Sequence, residues 1–250
     1  MAILPADYHA RIGAVEERHW WHAGMRRISA GLLGDRVRAP GMTLLDAGCG
    51  TGGFMRWALE HWAIASVSGV DVSETAIALA AERAPAADLR VAPLHALPFE
   101  AGAFDLVVAN DVLQHVDESE VDVAVAELAR VVRPDGALLV RTNGARRARA
   151  ARADWRVYDA RTLGALLERG GLTCRRITYA NMLPSLWAAA RGRAPAAPTA
   201  EAHGIPPLPG WPAQRVGRLL LDSEARYLRR AGRTLPFGHT LLAVCVPASA

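Results

Sequence analysis

The chain contains no lysine: all 29 of its Lys-plus-Arg residues are arginine. Schiff-base chemistry, a pyridoxal phosphate site and a P-loop lysine are thereby excluded. Cysteine is scarce. Its three copies, Cys49, Cys174 and Cys245, lie far apart and form no C-x-x-C pair, so reduced thiols are expected, with neither a zinc site nor a disulfide framework. The eight histidines include no H-E-x-x-H, and no metal site is expected. No apolar run approaches membrane-spanning length. The first residues, with Asp7, Glu16 and Glu17 among them, lack a signal-peptide pattern, so the expectation is a cytoplasmic protein with no membrane partner.

What is present is an ordinary globular composition, with 51% hydrophobic and 22% charged residues in 250. That length is enough for one main domain carrying an insertion. The formal charge is +4 and the pI about 9.4. Acidic residues are interspersed through most of the chain, and only Arg141 to Arg156 is dense in arginine without matching acid. A nucleic-acid groove would want aromatic platforms beside the charges, so this stretch reads as a solvated or substrate-facing surface and no nucleic-acid partner is expected.

Periodicity predicts alternating strands and helices. Strands are expected at Leu44–Ala47, Ser66–Val70, Leu89–Ala92, Asp105–Ala109, Ala137–Val140, Leu172–Tyr179 and Thr240–Val246. Ser73 is placed to cap a helix over Ala76–Arg83. Val121, Val125, Leu128 and Val132 form one apolar helical stripe, and Leu163, Leu166 and Leu167 mark another helix that Gly170-Gly171 ends. This alternation predicts a doubly wound, mainly parallel α/β sheet. Residues 1–40 read as an N-terminal helical cap, 41–180 as the core, 181–238 as a helical insertion and 239–250 as the final strand. Within the insertion, helices are expected over Met182–Ala190 and Gln214–Arg230, joined by a Pro/Ala-rich connector, Ala194 to Pro212. The cap holds His19-Trp20-Trp21-His22; adjacent tryptophans lie about 100° apart on a helix, so one of them covers something other than the main core. It could brace the sheet edge or serve as a lid.

The chain is organised around Leu44-Leu45-Asp46-Ala47-Gly48-Cys49-Gly50-Thr51-Gly52-Gly53, an apolar strand, an acid, a glycine-dense turn and a helix start. Such a turn aims backbone N–H groups at a polar ligand. The glycines satisfy both the dinucleotide fingerprint and the loop of S-adenosylmethionine (SAM) enzymes. Asp46 separates the two. Dinucleotide folds carry an apolar residue there, whereas a carboxylate suits a cationic ligand group such as the α-ammonium of SAM. Asp71, ending the second strand, fits the ribose hydroxyls of either cofactor.

Leu44 to Gly53, Gly69-Val70-Asp71-Val72-Ser73, Leu97-Pro98-Phe99, Phe104 to Val108, Val112-Leu113-Gln114-His115-Val116 and Leu128 to Gly136 together resemble the ordered motifs of class I SAM-dependent methyltransferases, of the small-molecule, type 11-like bacterial branch. The resemblance implies SAM as cofactor and a seven-stranded sheet of order 3-2-1-4-5-7-6 with an antiparallel last strand. It implies that Asp46 with Ala47, Gly48, Cys49 and Gly50 holds the methionine moiety, Asp71 the ribose, and Val72 with Leu94 and His95 the adenine. The family's usual adenine-binding aspartate is replaced by Pro93. Arg26 is a candidate for the cofactor carboxylate, with a solvated surface arginine as the alternative.

Ligands of open α/β sheets bind at the carboxyl ends of the strands, which places Asn110, Gln114, His115, Arg141 and Asn143 around the reacting groups. Asn110 is assigned to the cofactor. His115 is the candidate base, a structural histidine being the alternative. Trp21, His22, Gln114, Arg141, Asn143, Tyr158 and Tyr179 are candidates to line the acceptor pocket. The expected function is methyl transfer to a small-molecule acceptor in specialised metabolism, with the insertion shaping the pocket or a homodimer contact. A SAM-fold enzyme of another reaction, or a non-catalytic SAM-binding accessory protein, is the alternative.

Overall fold

The computed structural model describes residues 6–144, 156–191 and 208–248. The arginine-dense stretch and the Pro/Ala-rich connector lie largely outside them. In chain order the elements are α1 (Ala6–Glu16), α2 (Trp20–Leu33), β1 (Met42–Ala47), α3 (Gly53–His61), β2 (Ile64–Asp71), α4 (Glu74–Arg83), β3 (Asp88–Val91), β4 (Phe104–Asn110), α5 (Val121–Val131), β5 (Val132–Asn143), α6 (Ala160–Arg169), β6 (Leu172–Ala180), α7 (Met182–Ala190), α8 (Trp211–Leu228) and β7 (Thr240–Pro247).

The seven strands form one sheet in the order β3-β2-β1-β4-β5-β7-β6, as the resemblance implies. Strands β1 to β5 pair with one another in parallel, while β7 runs antiparallel to both β5 and β6. Both faces are covered, which explains the unbroken apolar character of β1 and β4. Leu44, Leu106, Val108 and Leu139 face a core completed by Met25, Ile28, Met55 and Leu221. Leu45, Val107, Leu138 and Val140 face the opposite core, with Val125, Leu128, Leu163 and Leu167.

Ser73 caps α4 as expected, its side chain accepting from the Ala76 N–H. Helix α8 starts at Trp211, three residues before the expected Gln214, because Pro212 is tolerated in a first turn whose N–H groups need no helical partner. Strand β5 starts at Val132, expected above as the last residue of a helical stripe, and so includes Arg133-Pro134-Asp135-Gly136 ahead of the expected start at Ala137. The cysteine expectation is corrected: Cys174 and Cys245 form a disulfide. They are register partners in the antiparallel β6–β7 pair, so strands 71 residues apart in sequence bring their side chains face to face. Only Cys49 is a free thiol, and it is buried.

The N-terminal cap and the insertion form one layer. Helix α8 turns Gly217, Leu221, Glu224 and Leu228 inward against α2. The approach is close: a Cβ on Gly217 would stand 2.4 Å from the Trp20 ring, and one on Gly24 would stand 2.3 Å from Leu221. Gln214 Oε1 accepts from the Trp20 N–H at 2.9 Å. Trp20 is therefore spent on α8. Trp21, one residue on, faces the carboxyl ends of the strands, as the arginine it meets there shows below.

Candidate active site

Strand β1 lies centrally between β2 and β4, and its chain turns out of the sheet after Ala47. Gly48, Gly50 and Gly52 have φ of 78°, 52° and 78°. A Cβ at Gly48 would also fall 2.5 Å from Val112. Glycine is thus fixed at Gly48 both by a left-handed backbone and by the residue packed on it. The Gly48 and Cys49 N–H groups both donate to the Val70 carbonyl, and the Gly50 N–H donates to Asp71 Oδ2 at 3.0 Å. Asp71 Oδ1 accepts from the Ser73 N–H at 3.0 Å. The Asp71 carboxylate therefore ties the loop to β2, while each oxygen keeps a further lone pair for a ligand.

Asp46 is 1% exposed and its Oδ1 has no hydrogen-bond partner among the described residues. Burial pushes its carboxyl up to about 7, with Arg141 opposing and Asp71 and Glu16 adding to the rise. At the end of the neighbouring strand, both amide atoms of Asn110 are likewise buried without a partner. Native interiors rarely leave such groups unsatisfied, so a polar ligand that meets them offsets a real cost. One buried acid and one amide at adjacent strand ends fit a ligand that carries a cation and both donors and acceptors.

Arg26 is not the solvated alternative. It is 8% exposed and donates through Nη2 to the Gly53 carbonyl at 3.0 Å, so it stands against the glycine loop. Arg141, at the end of β5, is held by Asp111 Oδ2, with Nε at 2.9 Å and Nη2 at 2.7 Å, and lies 5.1 Å from the Trp21 ring centre. His22 meets Trp21 edge to face at 4.9 Å. Burial, then the charges of Arg141 and Arg26, hold the His22 pKa well below 6.5, which leaves a neutral imidazole between two guanidinium groups. Arg26, His22, Trp21 and Arg141 thus form one wall.

Gln114 and His115 sit on a single 3-10 turn, Leu113–His115, after β4. Gln114 Oε1 accepts from Thr142 Oγ1 at 3.3 Å and from the Asn143 N–H at 3.2 Å, fixing that turn to the end of β5. Its Nε2 is 3.4 Å from His115 Nε2. Tyr158 and Tyr179 use their hydroxyls on backbone, toward the Leu113 carbonyl at 3.5 Å and from the Ala160 N–H at 3.3 Å. Leu94 is buried, and His95 Nδ1 lies 3.4 Å from a Glu120 oxygen.

Three groups near the site have no place in the sequence reading. Glu16, ending α1, accepts from Thr51 Oγ1 at 2.6 Å and pairs with Arg83, whose Nη2 donates to the Gly13 carbonyl at 2.7 Å. This clasp lays α1 across the glycine loop. His9 on α1 is buried, and desolvation lowers its pKa against the attraction of Asp71, placing it within electrostatic reach of that carboxylate. Asp111, holding Arg141, has φ of 54°, a left-handed conformation that aspartate tolerates better than most residues. Its position beside Asn110 is the one sequence signal that could have found it; nothing in α1 announces the clasp.

Residues 45–140 match the family model described as a methyltransferase domain. Among relatives, the malonyl-[acyl-carrier protein] O-methyltransferase of Erwinia billingiae is 31% identical over 150 residues, 59% of this chain and 57% of that protein. The enzyme of the same name from Enterobacter lignolyticus is 35% identical over 152 residues, 60% of this chain and 59% of its own length. The chain thus spans a little over half the length of these relatives. Among solved structures, the [4+2]-cyclase SpnF superposes with a TM-score of 0.62 at 23% identity, covering 93% of this chain and 85% of the cyclase. That likeness concerns the fold. With this methyltransferase domain match set on this sheet order, the chain is similar to the class I SAM-dependent methyltransferases.

Proposed function

We propose that the chain binds SAM at the glycine loop and transfers its methyl group to a small acceptor in specialised metabolism, the acceptor being free or tethered to a carrier protein as the relatives' names state for theirs. The observation that carries the reading is the buried Asp46 carboxylate, its Oδ1 without a hydrogen-bond partner among the described residues, ahead of a left-handed glycine turn, with Asp71 at the next strand end. In this reading Asp46 receives the α-ammonium, the backbone of Gly48 to Gly50 receives the rest of the methionine moiety, Arg26 the carboxylate and Asn110 a polar edge of the cofactor. Asp71 takes the ribose hydroxyls, and Val72, Leu94 and His95 flank the adenine.

Bound SAM supplies a methyl group made electrophilic by its sulfonium. The chain's own contribution is to hold an acceptor in line with that methyl group and to keep water away. Trp21, His22, Arg141 and Asn143 shape the acceptor side, while Gln114, Tyr158 and Tyr179 brace it. His115 takes a proton from an acceptor that must lose one.

Calorimetry tests the cofactor half. SAM is expected to bind the chain as it stands, and Asp71→Ala is expected to weaken binding by about 2 kcal/mol or more, since it removes a charged acceptor from two hydroxyls. Affinity unchanged by that substitution would end the ribose assignment. An acceptor product of unchanged mass would replace methyl transfer with another SAM-fold reaction.

A further inference from the structure

Helix α8 and the turn after it carry six arginines between Trp211 and Arg233. Arg215, Arg218, Arg226 and Arg229 follow one another at spacings of three, eight and three, which at about 100° per residue gathers them on one side of the helix, away from the buried Gly217, Leu221, Glu224 and Leu228. These four, with Arg230 and Arg233, are exposed. Only two acids occupy the same stretch, and neither offsets the stripe. Asp222 pairs with Arg27 of α2, and Glu224 is buried, accepting from the Asn181 and Leu183 N–H groups at 2.8 and 2.6 Å. Among the described residues no carboxylate pairs with any of the six.

Apolar side chains are set into this charged ridge. Trp211 is 70% exposed, Leu219 55% and Tyr227 39%. Helix α7 adjoins α8 through the Glu224 contacts and leaves the carboxyl end of β6, the edge of the sheet at which the site opens. Its sequence is apolar, yet it has no fully buried side chain, and Leu186 is half exposed. The far side of α8 packs on α2, the helix that carries Trp21, His22 and Arg26.

We propose that the α7–α8 face docks an acidic protein domain that delivers the methyl acceptor on a tether. This rests on the methyl-transfer reading above and names the partner through which that site is supplied. Arginine forks match carboxylates two bonds at a time, and the isolated Trp211, Leu219 and Leu186 give an acidic helix apolar contacts between the ion pairs. The charge complementarity is with protein. A membrane-surface helix turns its apolar face outward, and α8 turns its own inward. A nucleic-acid strand would want a groove, and this is a convex ridge.

The experiment uses the full chain and an acyl carrier protein as the acidic probe, read by surface plasmon resonance at low and physiological ionic strength. Binding is expected, weakening with salt, and Arg218→Glu/Arg226→Glu is expected to lower affinity about ten-fold or more. SAM affinity, measured on the same variant, is expected to be unchanged, which verifies the fold. No carrier binding, or binding indifferent to the charge reversals, overturns the inference. So does tighter, reversal-sensitive binding of duplex DNA or of phosphatidylglycerol vesicles. The two readings fail separately: loss of SAM binding in the parent chain removes methyl transfer, whereas SAM binding without carrier binding removes only the docking face.

Discussion

At the end of β1 a carboxyl group stands where water does not reach, and its protonation follows from that position. The Asp46 pKa rises from 3.8 in an open chain to about 7 in the fold, burial being the main cause. A raised carboxyl pKa means that the unligated fold is least penalised below about pH 4 and loses stability as pH climbs through about 7, by up to about 4 kcal/mol. Asp46→Asn is therefore expected to raise the melting temperature of the unligated chain at about pH 8 and to leave it nearly unchanged at about pH 4, while weakening SAM binding. Equal shifts at both pH values would remove the burial account. A second residue-scale prediction concerns Gly48. Gly48→Ala combines a φ of 78° with a Cβ 2.5 Å from Val112, and is expected to cost about 2 kcal/mol or more in urea unfolding. Adding Val112→Ala should recover only the steric part, because the backbone conformation remains. Both residues were legible in the sequence, Asp46 as an acid where an apolar residue is expected and Gly48 as part of a spaced glycine set. Asp111 and His9 were not, since their roles depend on partners brought in from β5 and across the loop from β2.

Among the elements, α7 is the least self-sufficient. Its preceding residue, Asn181, has φ of 64° and makes no side-chain cap, so the free N–H groups at the helix start are served from another helix by Glu224. Glu224→Ala would leave two buried donors unpaired and is expected to destabilise the chain by about 2 kcal/mol, with amide hydrogen exchange rising first over Met182–Ala190. Exchange that rises evenly across the sheet instead would argue against a local cap. Periodicity found α7 to the residue and α8 to within three, because a helix writes its apolar stripe locally. It did not reveal that α8 leans on α2. That contact depends on Gly217 and Gly24 making room for Trp20 and Leu221, which no local pattern records.

Across the whole molecule the sheet order agrees with the motif series, since the parallel half is built from strand–helix units whose handedness leaves few arrangements. The cysteine pair escaped the sequence because antiparallel register, not spacing, sets Cys174 opposite Cys245. Closing a loop of 71 residues, that bond is expected to stabilise the chain by about 4 kcal/mol on the chain-entropy account. Melting with and without reductant should differ accordingly. Cys174→Ser should match the reduced protein, and a reductant effect that persists in this variant would refute the assignment.

The brace between α2 and α8 also bears on when the site comes into being. Trp20 near the start of the chain is held by Gln214, 194 positions later. During synthesis the glycine loop, β2 and β4 emerge early and can pair, yet the wall of Trp21, His22 and Arg26 waits for α8 to leave the ribosome. A nascent chain therefore carries a half-built pocket at the glycine loop until α8 has followed.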